Sequence, residues 1–125
     1  VKELDCEKSV VLGYRDEIFL NEEFEPYAQV YMSSEDGQHG VKGNVIDAIK
    51  EYGVDGAVIY ACGPTPMLRG IKAYAMEKGI ECQISMEEKM ACGVGACLAC
   101  VCKTQVHNRR ICKDGPVFYA EEVEL

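Results

Sequence analysis

The sequence predicts an α/β protein: a partial parallel sheet with helices on its faces over residues 1–86, then a small β-rich module over residues 87–125. Three observations carry this. Between Ser9 and Met86, short apolar runs alternate with connections of helical pattern, which is how a parallel sheet with crossover helices reads. After Met86 the texture changes, with short β-type runs and turn residues and no convincing helix. At the junction stands MACGVGACLACVC (Met90 to Cys102), a glycine- and cysteine-rich stretch unlike the rest of the chain.

Each element follows from its residues. Val1 to Lys8 (VKELDCEK) reads as the last turn or two of a helix. A start of this kind leads us to expect the C-terminal part of something longer. Ser9 to Tyr14 is apolar and β-branched, the pattern of a buried strand. Arg15 to Glu22 is polar with Ile18, Phe19 and Leu20, a short helix or turn, and Tyr27 to Ser33 is a second strand. Asn44 is placed to cap an amphipathic helix carrying Val45, Ile46, Ala48, Ile49 and Tyr52. Gly56 to Cys62 is an apolar strand. Thr65 then caps a helix whose first position is Pro66, whose buried face is Met67, Leu68, Ile71, Tyr74 and Ala75, and which stops at Gly79. Glu81 to Met86 is the next strand. Beyond it, Val101 to Gln105, Arg110 to Cys112, Val117 to Tyr119 and Glu122 to Leu125 read as short extended runs.

The cysteines carry the chemistry. Cys92, Cys97 and Cys100 stand as C-x4-C-x2-C, and Cys112 follows after eleven further residues. This is the plant-type spacing for a 2Fe-2S cluster, which takes four thiolates. One short loop delivers three of them if it wraps closely, and Gly93, Gly95, Ala96 and Ala99 are small enough for that. Inward-turned N–H groups would stabilise the negative cluster. A structural zinc site also wants four thiolates, but usually pairs two separated C-x2-C knuckles. A disulfide framework suits short secreted chains, whereas the clustered spacing and the α/β texture of the rest lead us to expect a chain of a reducing compartment without a leader. Cys102, two residues past Cys100, reads as a buried free thiol, with a ligand exchange between the two left open.

Composition bounds the rest. The chain has 125 residues, 48% of them hydrophobic, eight cysteines and a net charge of −8. The acidic balance argues against nucleic acid and anionic membrane surfaces as partners. No apolar run reaches the length of a membrane span. A reducing, cytoplasmic location is expected.

Two further stretches lie where a parallel sheet binds its ligands, beyond the carboxyl ends of its strands. They are SSEDGQHGVKGNV (Ser33 to Val45) and YACGPTPML (Tyr60 to Leu68). The second resembles the C-G-P-x-x-M segment of the NAD(P)-binding domain of the ferredoxin-reductase family, and the first resembles that family's loop and G-x-K-G-x-V helix start. The C-terminal MACGVGACLACVCKT with ICKDGPVF is similar to the electron-transfer subunits of NAD-dependent, two-subunit dihydroorotate dehydrogenases. Together these stretches cover nearly the whole chain in family order.

The resemblance implies a fold and a set of roles. The fold would be a partial ferredoxin-reductase-like NAD-binding domain followed by a 2Fe-2S module. Cys92, Cys97, Cys100 and Cys112 would hold the cluster. Cys62, Gly63, Pro64 and Met67 would lie by the nicotinamide and pyrophosphate. Glu35 and Asp36 would lie by the adenosine ribose, where a carboxylate suits a free 2′-hydroxyl and favours NAD over NADP. Such subunits carry FAD and serve a separate FMN-containing catalytic subunit that oxidises dihydroorotate to orotate. NADH gives a hydride and a cluster carries one electron at a time, so a flavin must stand between them. The family's FAD domain and glycine-rich phosphate loop have no counterpart in these residues. No residue of this chain is then required for acid–base catalysis, and activity of the chain alone is not expected. Met90, Val94 and Leu98 would shield the cluster, with Val94 and Leu98 facing the partner. A reductase subunit of a hydrogenase or ferredoxin–NADP system, and a zinc-stabilised interaction module, are the alternatives.

Overall fold

In the computed structural model, which describes residues 1–15 and 17–125, the chain forms two compact units, 1–56 and 57–125. The first unit is α/β. Strands β1 (Ser9–Tyr14) and β2 (Gln29–Ser34) run parallel, with Ser9 opposite Gln29 and Tyr14 opposite Ser34. The two-residue β3 (Val41–Lys42) adds in parallel at the end of β2. A short helix, α1 (Asn21–Phe24), lies on the crossover. The expected helix or turn at Arg15 to Glu22 includes Asp16, which lies outside the described residues.

Helix α2 (Val45–Tyr52) begins where the sequence says it should. Asn44 Oδ1 accepts the N–H groups of Ile46 and Asp47 at 2.9 and 3.1 Å, and Asp47 Oδ2 accepts the Asn44 N–H at 2.9 Å. This reciprocal capping box is worth about 1 kcal/mol. Val45 and Ala48 form the buried stripe of α2. The backbone of β1 comes so close that a Cβ on Gly13 would lie 2.8 Å from Val45 Cγ1.

In the second unit, β4 (Val58–Cys62) and β5 (Glu81–Ser85) are parallel, joined by α3 (Thr65–Lys78). Leu68, Ile71 and Ala75, at helical spacing, are buried from α3. The third strand comes from the far end of the chain. β8 (Val117–Tyr119) pairs antiparallel with β5, Ile84 opposite Phe118. Bonds from Met86 N to Pro116 O (3.0 Å) and from Ala120 N to Cys82 O (2.8 Å) extend the pairing at both ends. The cysteine-rich stretch is therefore a long excursion between two neighbouring strands, rooted at both ends in one sheet. Within it lie the two-residue ladder β6 (Val101–Cys102) with β7 (Arg109–Arg110), and a single helical turn, α4 (Ile111–Asp114). Ile84, Ile111 and Val123 are wholly buried and Phe118 nearly so, which gives this excursion a small apolar floor.

Three local expectations are corrected. Residues 1–8 are not helical; 1–7 are all exposed, so no face is buried to offset the cost of helix nucleation. The cap of α3 is Pro64, with Thr65 already helical and Pro66 in the first turn. The run Arg110 to Cys112 is not extended throughout, because Cys112 sits in α4, where Asp114 Oδ2 accepts the Arg110 N–H at 2.8 Å and closes the turn. Among the described residues no helix is long and apolar enough to cross a membrane.

Ile84 lies centrally in the second unit's sheet with no exposed surface. Ile84→Ala should destabilise that unit by about 2–5 kcal/mol. Urea unfolding followed by far-UV circular dichroism checks this; a loss under about 1 kcal/mol would show that the sheet is not the packing centre of the unit.

Candidate metal centre

The excursion between β5 and β8 brings the four cysteines of the sequence motif together as two pairs. Cys92 and Cys97 form the first, on one turn of the loop. The Cys92 thiol is drawn down to about 6, chiefly by the backbone N–H of Cys97, with further help from Val94 and Ala96. The Val94 and Ala96 N–H groups lie 3.4 and 3.3 Å from Cys92 Sγ. Cys100 and Cys112 form the second pair. The Cys112 N–H donates to Cys100 Sγ at 3.4 Å, and the Ile111 N–H to the Cys100 carbonyl at 3.1 Å. The Cys112 amide is the main reason the Cys100 thiol is lowered. Cys112 itself is raised, first by its hydrogen bond with Cys100, while the Gly95 N–H acts in the opposite sense and the Cys92 charge adds to the rise.

The local sequence explains this arrangement. Amides reach a sulfur only if the loop turns back on itself, and Gly93 and Gly95 do so at φ 70° and 84°. Leu98 adopts φ 60° without being glycine, so the turn between the two pairs is held against a small backbone cost. The donor set fits a two-iron cluster well: thiols in pairs, with amides aimed at the sulfurs. Among the described residues no three His, Cys, Asp or Glu side chains are grouped to hold one metal ion. Cys102 is buried, and burial is the main reason its thiol is raised. The shielding expected of Met90, Val94 and Leu98 is not provided by burial in this chain. They are 54%, 73% and 62% exposed.

The other predicted site residues fall in both units. In the first, Glu35 and Asp36 follow β2. Asp36 Oδ1 accepts the Gln38 N–H at 2.9 Å, which holds the Asp36 carboxyl below its usual range. Glu35 Oε2 is 3.8 Å from Arg15 Nε, an exposed pair of small energetic weight. In the second unit Cys62 closes β4, and Met67 lies over Gly63, so that a Cβ there would be 2.5 Å from Met67 Cε. Pro64 opens α3 beside them.

One residue of this second group is not legible in the sequence. Glu87 Oε1 lies 3.7 Å from Cys62 Sγ. The available signal is its position one residue past Met86, at the carboxyl end of the strand that neighbours β4. The Cys62 thiol is raised first by burial and then by the Glu87 carboxylate.

Residues 87–124 match the family model described as the iron-sulfur cluster binding domain of dihydroorotate dehydrogenase B. The chain is 45% identical over 118 residues to the dihydroorotate dehydrogenase B (NAD(+)) electron transfer subunit of Caldanaerobacter subterraneus, covering 91% of this chain and 48% of that protein. The subunits of the same name from a Geobacillus species and Bacillus cereus are 42% and 43% identical, with 92% of this chain and 46% of each protein covered. The chain is a relative of these electron transfer subunits. It spans about half the length of the relatives it matches. A chain of the NADH-dependent reduced ferredoxin-NADP oxidoreductase, whose structure was described in relation to flavin-based electron bifurcation, matches with a TM-score of 0.84. It is 30% identical, with 94% of this chain and 44% of that chain covered.

The Cys62–Glu87 contact has a measurable consequence. Removing the carboxylate relieves its repulsion of the thiolate, so Glu87→Gln should shift the alkylation of Cys62 by iodoacetamide to lower pH. Peptide-resolved mass spectrometry across a pH series reads this directly; an unchanged midpoint would show that burial alone sets the thiol.

Proposed function

We propose that this chain holds a 2Fe-2S cluster on Cys92, Cys97, Cys100 and Cys112 and serves in electron transfer between NAD(H) and FAD on one side and an FMN-containing partner subunit on the other. The reaction served is the oxidation of dihydroorotate to orotate in pyrimidine biosynthesis. The observation that carries the reading is the grouping of four thiols into two pairs with amides aimed at Cys92 and Cys100. When bound, such a cluster supplies a one-electron carrier whose potential follows from its hydrogen bonds and exposure.

The chain's own residues do placement and electrostatics. The amides of Val94 and Ala96 offset thiolate charge at Cys92, and the amide of Cys112 does so at Cys100. Glu35 and Asp36 supply the acidic character of a ribose-binding loop. Asp36 Oδ1 is engaged by the Gln38 N–H and Glu35 faces Arg15 in an exposed, weak pair, so Glu35 is the carboxylate more easily turned to ribose hydroxyls, where it would disfavour a 2′-phosphate. Cys62, Gly63, Pro64 and Met67 form the nicotinamide-side turn, where Gly63 at φ 155° lets backbone approach a flat ring closely. The hetero-oligomer, rather than this chain alone, has the activity. A cytoplasmic location belongs to the same proposal, since eight unpaired thiols suit a reducing compartment.

The ligand set is tested by iron content and the visible spectrum. Cys112→Ala should lose the cluster together with the order of residues after 87, while Cys102→Ala should keep full iron and a colour that bleaches with dithionite. A full cluster in Cys112→Ala would show that Cys102 or another thiol is the fourth ligand, and a colourless wild type with stoichiometric zinc would end the iron–sulfur reading.

A second reading, a reductase subunit of the ferredoxin–NADP type, is favoured by the structural match at TM-score 0.84. Coenzyme choice separates the two. In the full-length protein, NADH should be preferred, and Glu35→Gln should narrow that preference by roughly tenfold, the weight of one charged contact. Preference for NADPH in the wild type would select the ferredoxin–NADP reading.

A further inference from the structure

The two thiol pairs need something to fix their separation, and one side chain reaches from one to the other. Arg110 Nη1 donates to the Gly95 carbonyl at 2.8 Å. Gly95 lies between Cys92 and Cys97, whereas Arg110 stands two residues before Cys112. Asp114 holds Arg110 from the other side: its Oδ2 accepts the Arg110 backbone N–H at 2.8 Å and lies 3.5 Å from Arg110 Nε. Gly95 is buried in this arrangement, and a Cβ on it would lie 3.0 Å from Lys113 Cδ and 3.4 Å from Arg110 Nη1. The N–H of the same glycine acts on the Cys112 thiol. Asp114, Arg110, Gly95 and Cys112 thus close a ring around the gap between the pairs. An arginine suits the task because its planar fork meets a carbonyl and a carboxylate together.

We infer that Arg110 is a positioning residue of the proposed metal centre, clamping the loop of Cys92 and Cys97 onto the turn of Cys112 and holding a fixed positive charge at the Gly95 carbonyl, between the two cysteines of that loop. The inference rests on the reading of these thiols as cluster ligands. A fixed cation there has a consequence that a purely structural tie lacks. Reduction adds one negative charge, so the nearby guanidinium favours the reduced state and raises the midpoint potential. Asp114 lies 3.5 Å from Arg110 Nε while Nη1 meets the Gly95 carbonyl, so the two partners engage different nitrogens of the guanidinium.

The test uses the full-length protein carrying its cluster. Two quantities are read: the half-life of visible absorption in the presence of an iron chelator, and the midpoint from a dye-mediated titration. Arg110→Ala should release iron roughly tenfold faster, with a midpoint lowered by about 59 mV, a tenfold change for one electron. Arg110→Lys should restore the midpoint while keeping part of the faster release, because the charge remains and the fork is lost. Wild-type values of both quantities in Arg110→Ala would overturn the inference. Should that variant take up no cluster, Arg110→Lys and Arg110→Gln decide: a lower midpoint in the glutamine variant supports the fixed charge, and equal midpoints overturn it. A wild type without iron would defeat the cluster reading itself, whereas an iron-loaded wild type with an indifferent Arg110 would defeat only this inference.

Discussion

The contact between the Cys112 amide and Cys100 Sγ is the one on which the arrangement of the cysteine-rich loop depends. A loop of glycines and alanines between Ala91 and Cys100 has little apolar surface with which to hold a shape of its own. It gains a fixed shape only where it meets another segment. That meeting is made by Cys112 and Ile111, whose amides both turn toward Cys100, and by Arg110, which donates to the Gly95 carbonyl. Ile111 is wholly buried, so the same turn is anchored below by packing and above by hydrogen bonds to sulfur and carbonyl. Thiols, amides and one apolar anchor are coupled, and a change in any of them is felt by the others.

The sheet of the second unit supplies the rigidity that this small centre lacks. A module of roughly forty residues buries too little surface to be stable by itself. Here it is not free-standing. It leaves the sheet after β5 and returns as β8 on the same strand, so both of its ends are held by one ladder. Thr104 bridges to Val123, and Gln105 and Glu124 bond across the same seam. Such tying confines the ends of the excursion and lowers the entropy lost when its interior becomes ordered.

Charge follows a similar division. Amides lower Cys92 and Cys100, Cys112 is raised first by its hydrogen bond with Cys100, and burial raises Cys82 and Cys102. Hydrogen bonds thus act on Cys92, Cys100 and Cys112, and burial on Cys82 and Cys102. Cys62 stands apart, raised by burial and by the carboxylate of Glu87 at the end of the neighbouring strand.

Much of this fold is legible in the amino-acid sequence alone. The alternation from Ser9 to Met86 determines the α/β class, Asn44 determines where α2 begins, and the spacing of Cys92, Cys97, Cys100 and Cys112 nominates the ligands, because period, cap and motif are local properties of the chain. Other features are not local. That β8 closes the sheet of β5, that Cys112 lies in a helical turn, and that Glu87 and Arg110 reach Cys62 and Gly95 are decided by tertiary structure. Each joins residues distant in the chain, or depends on such a join, through backbone or side-chain groups that many residues could supply. A local pattern records the propensity of its own residues; it carries no mark of the partner that folding brings to them.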